Sequence, residues 1–236
     1  MYSYEMNAGY SVMDESLRMK VTSILDCFQD AAIFEAENGG RINTQYLKEK
    51  CLVWLLSAWQ IVIDRRPALN ERITITTSPY DFKGFLGYRN FTIEAADKTV
   101  LVKAASIWTL LDTQRLVPAK PTQELLDGYD LSEKLAMDYA PRKIAVCGEG
   151  VEQEPFPVRK YQIDSNRHVN NVEYVKMALE FVEEPDRILE LRVEYKKAAH
   201  YGDLIVPVVY GSDGKMQVQL KDTKDGLFAV VAFKFK

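Results

Sequence analysis

Apolar and polar positions change period several times along the chain, and the changes outline its architecture. After a short polar start, Val21, Ile24, Leu25, Phe28, Ala31, Ala32 and Glu35 recur at three- and four-residue steps. That spacing predicts one long helix over residues 20–36, ended by Asn38-Gly39-Gly40. From Leu52 the period falls to two, and β-branched and aromatic residues take over, so 52–63, 72–82, 88–95 and 99–111 read as four strands. Five of the nine prolines then gather at 118, 121, 141, 155 and 157, which marks a connector with one short helix near Leu131–Asp138. A second helix is expected over 171–182, where Val172, Val175, Ala178, Leu179 and Val182 share a stripe and Glu173, Lys176 and Glu180 form another. Four more strands follow, at 187–197, 204–211, 215–222 and 226–236.

The order of helix then strands thus occurs twice, and the two halves echo each other in detail. Ile63–Ile73 lies over Tyr195–Ile205 at an offset of 132, and Asp97–Leu101 lies over Asp225–Ala229 at 128. A weak internal duplication accounts for both. We therefore divide the chain into a first repeat over 1–128, a connector over 129–149 and a second repeat over 150–236, and assign the α+β class.

Length and composition narrow the partners. At 236 residues and 47% apolar content the chain can bury a sizeable core. A net charge of −4 disfavours nucleic acid, which needs a basic face. Cys27, Cys51 and Cys147 are odd in number and widely spaced, as in a reducing cytoplasm. The N-terminus carries no apolar signal region, and the longest apolar run, Cys51–Ile63, is too short for a membrane span, so a soluble protein is expected. Two histidines 32 residues apart, without thiolate neighbours, lack a usual metal spacing, and no glycine-rich phosphate loop or other cofactor motif occurs.

The candidate chemistry lies just before the second helix. Asp164, Asn166 and His168 stand at i, i+2 and i+4, a spacing that converges on one face if the backbone is extended. Asn170 is a good N-cap, Glu173 three residues on could close a capping box, and the helix N-terminus would bring amides and a positive dipole end to the trio. A bland reading makes these residues turn and cap groups and His168 a structural histidine. Only two histidines exist to act as a base near neutral pH, His168 and His200, and His200 with Tyr201 reads as an ordinary strand end.

The run Asp164, Asn166, His168, Val169, Asn170, Asn171 and Tyr174, or D-x-N-x-H-V-N-N-x-x-Y, resembles the signature of the acyl-acyl-carrier-protein thioesterases of the plant and bacterial type. The resemblance implies a tandem double hotdog fold and cofactor-free hydrolysis of acyl carrier thioesters. Asp164, Asn166 and His168 would be catalytic, and Asn170, Asn171 and Tyr174 would lie on the substrate. The first repeat has Asp14, Ser16 and Arg18 where the second has the trio, so it is read as the acyl-chain side. The plant relatives carry an acidic residue and then a cysteine where this chain has Ala198 and Ala199, which leaves Asp164 as the acidic partner, with His200 and Tyr201 nearby as the alternative substitutes. The basic pairs Arg65-Arg66 and Lys196-Lys197 fall at matching places and are candidates for docking an acidic acyl carrier protein. A hotdog hydroxyacyl dehydratase and a non-catalytic acyl-binding protein are the rival readings, and a homodimer is left open.

Overall fold

The computed structural model describes residues 1–38, 41–146, 148–212 and 214–236. Gly39 and Gly40, expected to end the first helix, lie outside the described residues, as does Cys147. The chain falls into two units, one of residues 1–57 and 63–139, the other of 58–62 and 140–236.

The first unit holds β1 (Tyr2–Asn7), α1 (Val21–Glu37), α2 (Thr44–Glu49), most of β2 (Leu52–Ile63), β3 (Arg72–Lys83), β4 (Leu86–Ala95), β5 (Val100–Asp112), β6 (Val117–Pro118) and α3 (Gln123–Leu126). Its strands run in the order β1-β3-β4-β5-β2. Where the sequence suggested only a polar start, β1 pairs antiparallel along β3 from Tyr2↔Thr77 to Asn7↔Arg72. Helix α1 packs on β1 and β3. Its predicted face is the buried one: Ile24, Leu25, Phe28 and Ala31 are fully covered, and the Phe28 ring lies 5.1 Å from that of Phe91. Burying a side chain such as Phe28 is worth about 2 kcal/mol. Glu35 continues the same stripe because Arg89, itself bonded to Thr77, closes an ion pair on it inside the unit.

The second unit holds β7 (Gly150–Glu152), β8 (Phe156–Pro157), α4 (Asn171–Leu179), β9 (Ile188–Tyr195), β10 (Leu204–Ser212), β11 (Lys215–Lys221) and β12 (Leu227–Phe235), together with residues 58–62, which pair antiparallel with β9. The order β7-β10-β11-β12-β9 repeats that of the first unit strand for strand. The edge strand is interrupted, with β7 and β8 pairing separately with β10. Pro155 stands in the break, where a residue without an N–H does least harm. Helix α4 packs on β11 and β12, where Val218, Leu220, Ala229 and Val231 are fully covered. A helix cradled by an antiparallel sheet, twice over, is the expected tandem hotdog.

Backbone bonds fix the alignment of the two repeats. The Asp64 and Arg65 amides donate to Leu101 O as those of Lys196 and Lys197 donate to Phe228 O, in keeping with the 132 offset. The turn Ala95–Thr99 matches Asp222–Gly226, since Ala95 N donates to Thr99 O and Asp222 N to Gly226 O. Lys98 and Asp225 both have positive φ there, so the match slips by one residue from the expected Asp97–Asp225 pairing.

The connector has no helix at 131–138; the short helix is α3, capped by the Thr122 hydroxyl accepting from Leu125 N. Chain that cannot join a sheet still needs partners for its amides. In the first unit Asn90 Oδ1 accepts from Leu135 N and Tyr139 OH, each at 3.0 Å. In the second, Glu194 Oε2 accepts from Ile144 N at 3.2 Å and Arg192 bonds Pro141 O. Hence a buried Asn90 and a buried Glu194.

Candidate functional site

The trio does not lie on an extended strand. Ile163 and Val169 pair as an antiparallel bridge, and residues 164–168 make a tight reversal between them. Asp164 builds that reversal: its amide donates to His168 O at 2.8 Å, its carbonyl accepts from Arg167 N at 3.0 Å, and its Oδ1 accepts from the amides of Asn166 at 2.8 Å and His168 at 3.2 Å. Arg167 takes the left-handed conformation, φ 63°, that closes it. The strand-alternation argument fails here because a short carboxylate can satisfy amides two and four residues on, and this local bonding competes with extension. Asn166 Nδ2 lies 3.5 Å from Asp164 Oδ2, and both Asn166 and His168 are exposed.

The first unit builds the same turn from other residues. Met13 and Met19 bridge, Asp14 Oδ1 accepts from the amides of Ser16 and Arg18, and Leu17 has φ 56°. There the second carboxylate oxygen is engaged by the buried Arg66 guanidinium. Met19 N donates to Pro67 O as Val169 N donates to Ala199 O, so the counterpart of Arg66 is Ala198, whose methyl brings no charge to Asp164.

Asn170 is the N-cap of α4, its side chain accepting from Val172 N at 2.9 Å. The expected capping box does not close, because the Asn170 amide donates to Gln162 O and the buried Glu173 carboxylate takes Lys176 Nζ at 2.5 Å. Glu173 therefore leaves the polar stripe assigned to it. Glu173 N donates to Asn170 O. The amides of Val172 and Glu173 are thus engaged within the cap, which corrects the expectation that they face an oxyanion.

Asn171 O accepts from the Tyr195 hydroxyl at 3.0 Å. Tyr174 is 3% exposed, and its hydroxyl accepts from Ala199 N at 2.8 Å. Burial foremost, with the charges of Asp203 and Asp164 adding to it, pushes that hydroxyl up to about 12. Burial also raises Tyr195, whose ring is 5.9 Å from that of Tyr174. Tyr174, matched in the motif as a substrate position, holds the backbone just before His200.

His200 is the residue that sequence reasoning passed over. Its ring meets that of His168 edge to face, centroids 4.9 Å apart at 83°. Its amide donates to Asp203 Oδ2 at 2.8 Å, and its Nδ1 lies 3.7 Å from the same oxygen. The signal was present: the chain has two histidines, and the 132 offset sets His200–Asp203 over Ala68–Glu71, where Glu71 likewise accepts from Ala68 N.

Of the four basic residues considered for docking, Arg66 is 8% exposed and held by Asp14, so it stands inside the fold. Arg65 pairs with Glu71, Lys196 with Glu194 and Lys197 with Asp222. Among the described residues no cluster of three or more His, Cys, Asp or Glu side chains is arranged to hold a metal ion, and no helix is long and apolar enough to cross a membrane.

Two sheet-and-helix repeats, with an imidazole-bearing turn in the second, define a tandem hotdog protein. The acyl-ACP thioesterase N-terminal domain profile matches residues 1–129 and the C-terminal domain profile residues 148–231, and the chain belongs to the acyl-ACP thioesterase family. It is 27% identical over 210 residues to a chloroplastic acyl-(acyl-carrier-protein) hydrolase of Cuphea viscosissima, covering 83% of this chain and 49% of that protein. It is 22% identical over 232 residues to the chloroplastic palmitoyl-acyl carrier protein thioesterase of Gossypium hirsutum, covering 91% and 54%. The chain spans about half the length of the curated relatives it matches. Among solved structures, an acyl-ACP thioesterase from Bacteroides thetaiotaomicron superposes with a TM-score of 0.90 at 22% identity, over 100% of this chain and 97% of that one. The 12:0-ACP thioesterase of Umbellularia californica gives 0.85 at 13%, over 100% and 96%. These two likenesses establish the shared fold.

Proposed function

We propose that the protein hydrolyses acyl-acyl-carrier-protein thioesters, releasing a free fatty acid and the carrier thiol. The observation that carries this reading is the family match across both repeats, with the D-x-N-x-H turn present in one repeat only. A thioester needs a positioned water, a base and donors for the tetrahedral oxyanion, and its thiolate leaves readily. His168 takes the proton of the attacking water, and the Asn166 amide holds the carbonyl oxygen or the water. Asp164 fixes the turn that presents both, and Ala198 leaves its carboxylate without the arginine that engages Asp14. Asn171 and the exposed edge of the turn contact the substrate near the thioester, whereas Asn170 and Tyr174 act through the backbone they hold. The first repeat serves the acyl chain. Arg65 and Lys197 supply positive charge for an acidic carrier. The thiols of Cys27 and Cys51, unbridged in the fold, suit a reducing cytoplasm.

The test is to incubate the purified protein with acyl carrier thioesters of several chain lengths and measure released thiol. Thiol release that His168→Ala lowers by about 10²-fold or more is the expected result. No release from any substrate, release untouched by His168→Ala, or formation of an enoyl product with the thioester intact would each overturn the reading, the last in favour of a dehydratase.

A further inference from the structure

The only two histidines of the chain lie 32 positions apart and meet ring to ring in the repeat that carries the motif. The backbone alone brings the two positions together. In the first repeat their counterparts, Arg18 and Ala68, form an antiparallel bridge with no such side-chain pair. What the second repeat adds is the pair of imidazoles.

The neighbouring charges are rearranged to match. In the first repeat Glu71 caps Ala68 N and also binds Arg65. The counterpart of Arg65 is Lys197, which pairs with Asp222 instead. The counterpart of Glu71 is Asp203, which caps His200 N and keeps its carboxylate 3.7 Å from the His200 Nδ1. At that separation the carboxylate acts on the ring as a neighbouring negative charge, and its direct bond is the one to the His200 amide. His168 itself sits on an exposed turn, where an unsupported side chain spreads over several staggered rotamers. An edge-to-face ring partner selects among them.

We propose that His200, held by Asp203, is a positioning residue for His168: its ring fixes the orientation of the His168 imidazole toward the attacking water. This rests on the thioester-hydrolysis reading above. His200 acts through His168 and takes no proton from the substrate or water. Loss of orientation without loss of binding lowers kcat and spares KM.

The experiment compares wild type with His200→Ala, His200→Phe, Asp203→Asn and the double variant His168→Ala/His200→Ala, measuring thiol release from an acyl carrier thioester. His200→Ala is expected to lower kcat by about three- to tenfold, the selectivity of one ring contact, with KM within about twofold. His200→Phe, which keeps a ring, restores most of the loss. Asp203→Asn lowers kcat in the wild-type background and does nothing further beside His200→Phe. The double variant matches His168→Ala, since a residue acting through another contributes nothing once that other is gone. Unchanged kcat in His200→Ala, or a double variant slower than His168→Ala by the His200→Ala factor, overturns the proposal. A readout without turnover separates this from failure of the parent reading. With two histidines in the chain, NOEs between their ring protons are easily assigned. Their presence in wild type is expected, and their absence overturns the proposal whatever the activity. If the rings meet but wild type releases no thiol from any thioester, the parent reading fails and the catalytic purpose of the pair fails with it.

Discussion

Arg66 engages the Asp14 carboxylate from a position where only 8% of its side chain is exposed, and it also donates to Met19 O at 3.3 Å. Burial alone would raise the Asp14 carboxyl, but hydrogen bonds from Arg66, Ser16 and the Arg18 amide outweigh it and hold the group below its usual value. A carboxyl depressed on folding stabilises the protein above its unfolded value, near pH 4, and that stability is lost as pH falls through the folded value. We expect Arg66→Ala to cost about 2 kcal/mol at pH 7 in urea melts, the scale of a hydrogen bond to a charged group. Asp14→Asn should flatten the decline of stability as pH falls below about 5. Arg66→Ala melting as wild type would show that the pair is idle.

His168→Ala should lower kcat by about 10²-fold or more, the scale of a lost acid–base group. Asn166→Ala should cost a similar ~10² if its amide serves the oxyanion or the water. Asp164→Asn keeps an oxygen acceptor for the amides of Asn166 and His168, so it should cost less than Asp164→Ala, which removes the turn's organiser. The check is kcat on one acyl carrier thioester with thermal melts in parallel. Near-normal kcat and an unchanged melt in His168→Ala would make the turn purely structural.

Tyr174→Phe removes the acceptor of the buried Ala199 amide. An orphaned buried donor costs about 1–3 kcal/mol. The segment it holds leads directly into His200, so kcat should fall along with the urea midpoint. A variant with wild-type stability would mean that water replaces the hydroxyl.

Lys197 is 62% exposed and pairs only loosely with Asp222, at 3.3 Å. Reversing Lys197 to Glu should raise KM for carrier-bound substrate while sparing a small acyl thioester, and the difference should shrink as salt rises. Equal loss on both substrates would assign the lysine to the fold, as would be expected of Lys196, whose ammonium neutralises the buried Glu194. Arg66→Glu is a poor docking probe, since it sets two carboxylates against each other inside the first repeat.

Cys27 is buried, and burial foremost pushes its thiol up to about 11. Iodoacetamide at pH 8 should therefore label the half-buried Cys51 well before Cys27 in the native protein, read by peptide mass spectrometry. Comparable labelling of both would mean that α1 opens on the timescale of the reaction.

Periodicity read alone defined α1, its buried face and four strands in each repeat, because helical and extended backbones sort apolar side chains by fixed periods that any long amphipathic element must obey. The edge strand β1 escaped, since a strand with one exposed face and partners from Arg72 to Thr77, far along the chain, leaves little local trace. The candidate site was legible as a list of residues and not as a geometry. Which residues were polar, and that only one repeat held a histidine in the turn, followed from the order of amino acids. That Asp164 would spend Oδ1 on two backbone amides, that Asn170 would engage Val172 N, and that His200 would meet His168 across 32 positions were decided by tertiary structure. The physical reason is that a polar side chain takes whatever donor or acceptor the fold brings within about 3 Å, and sequence spacing does not encode that neighbourhood.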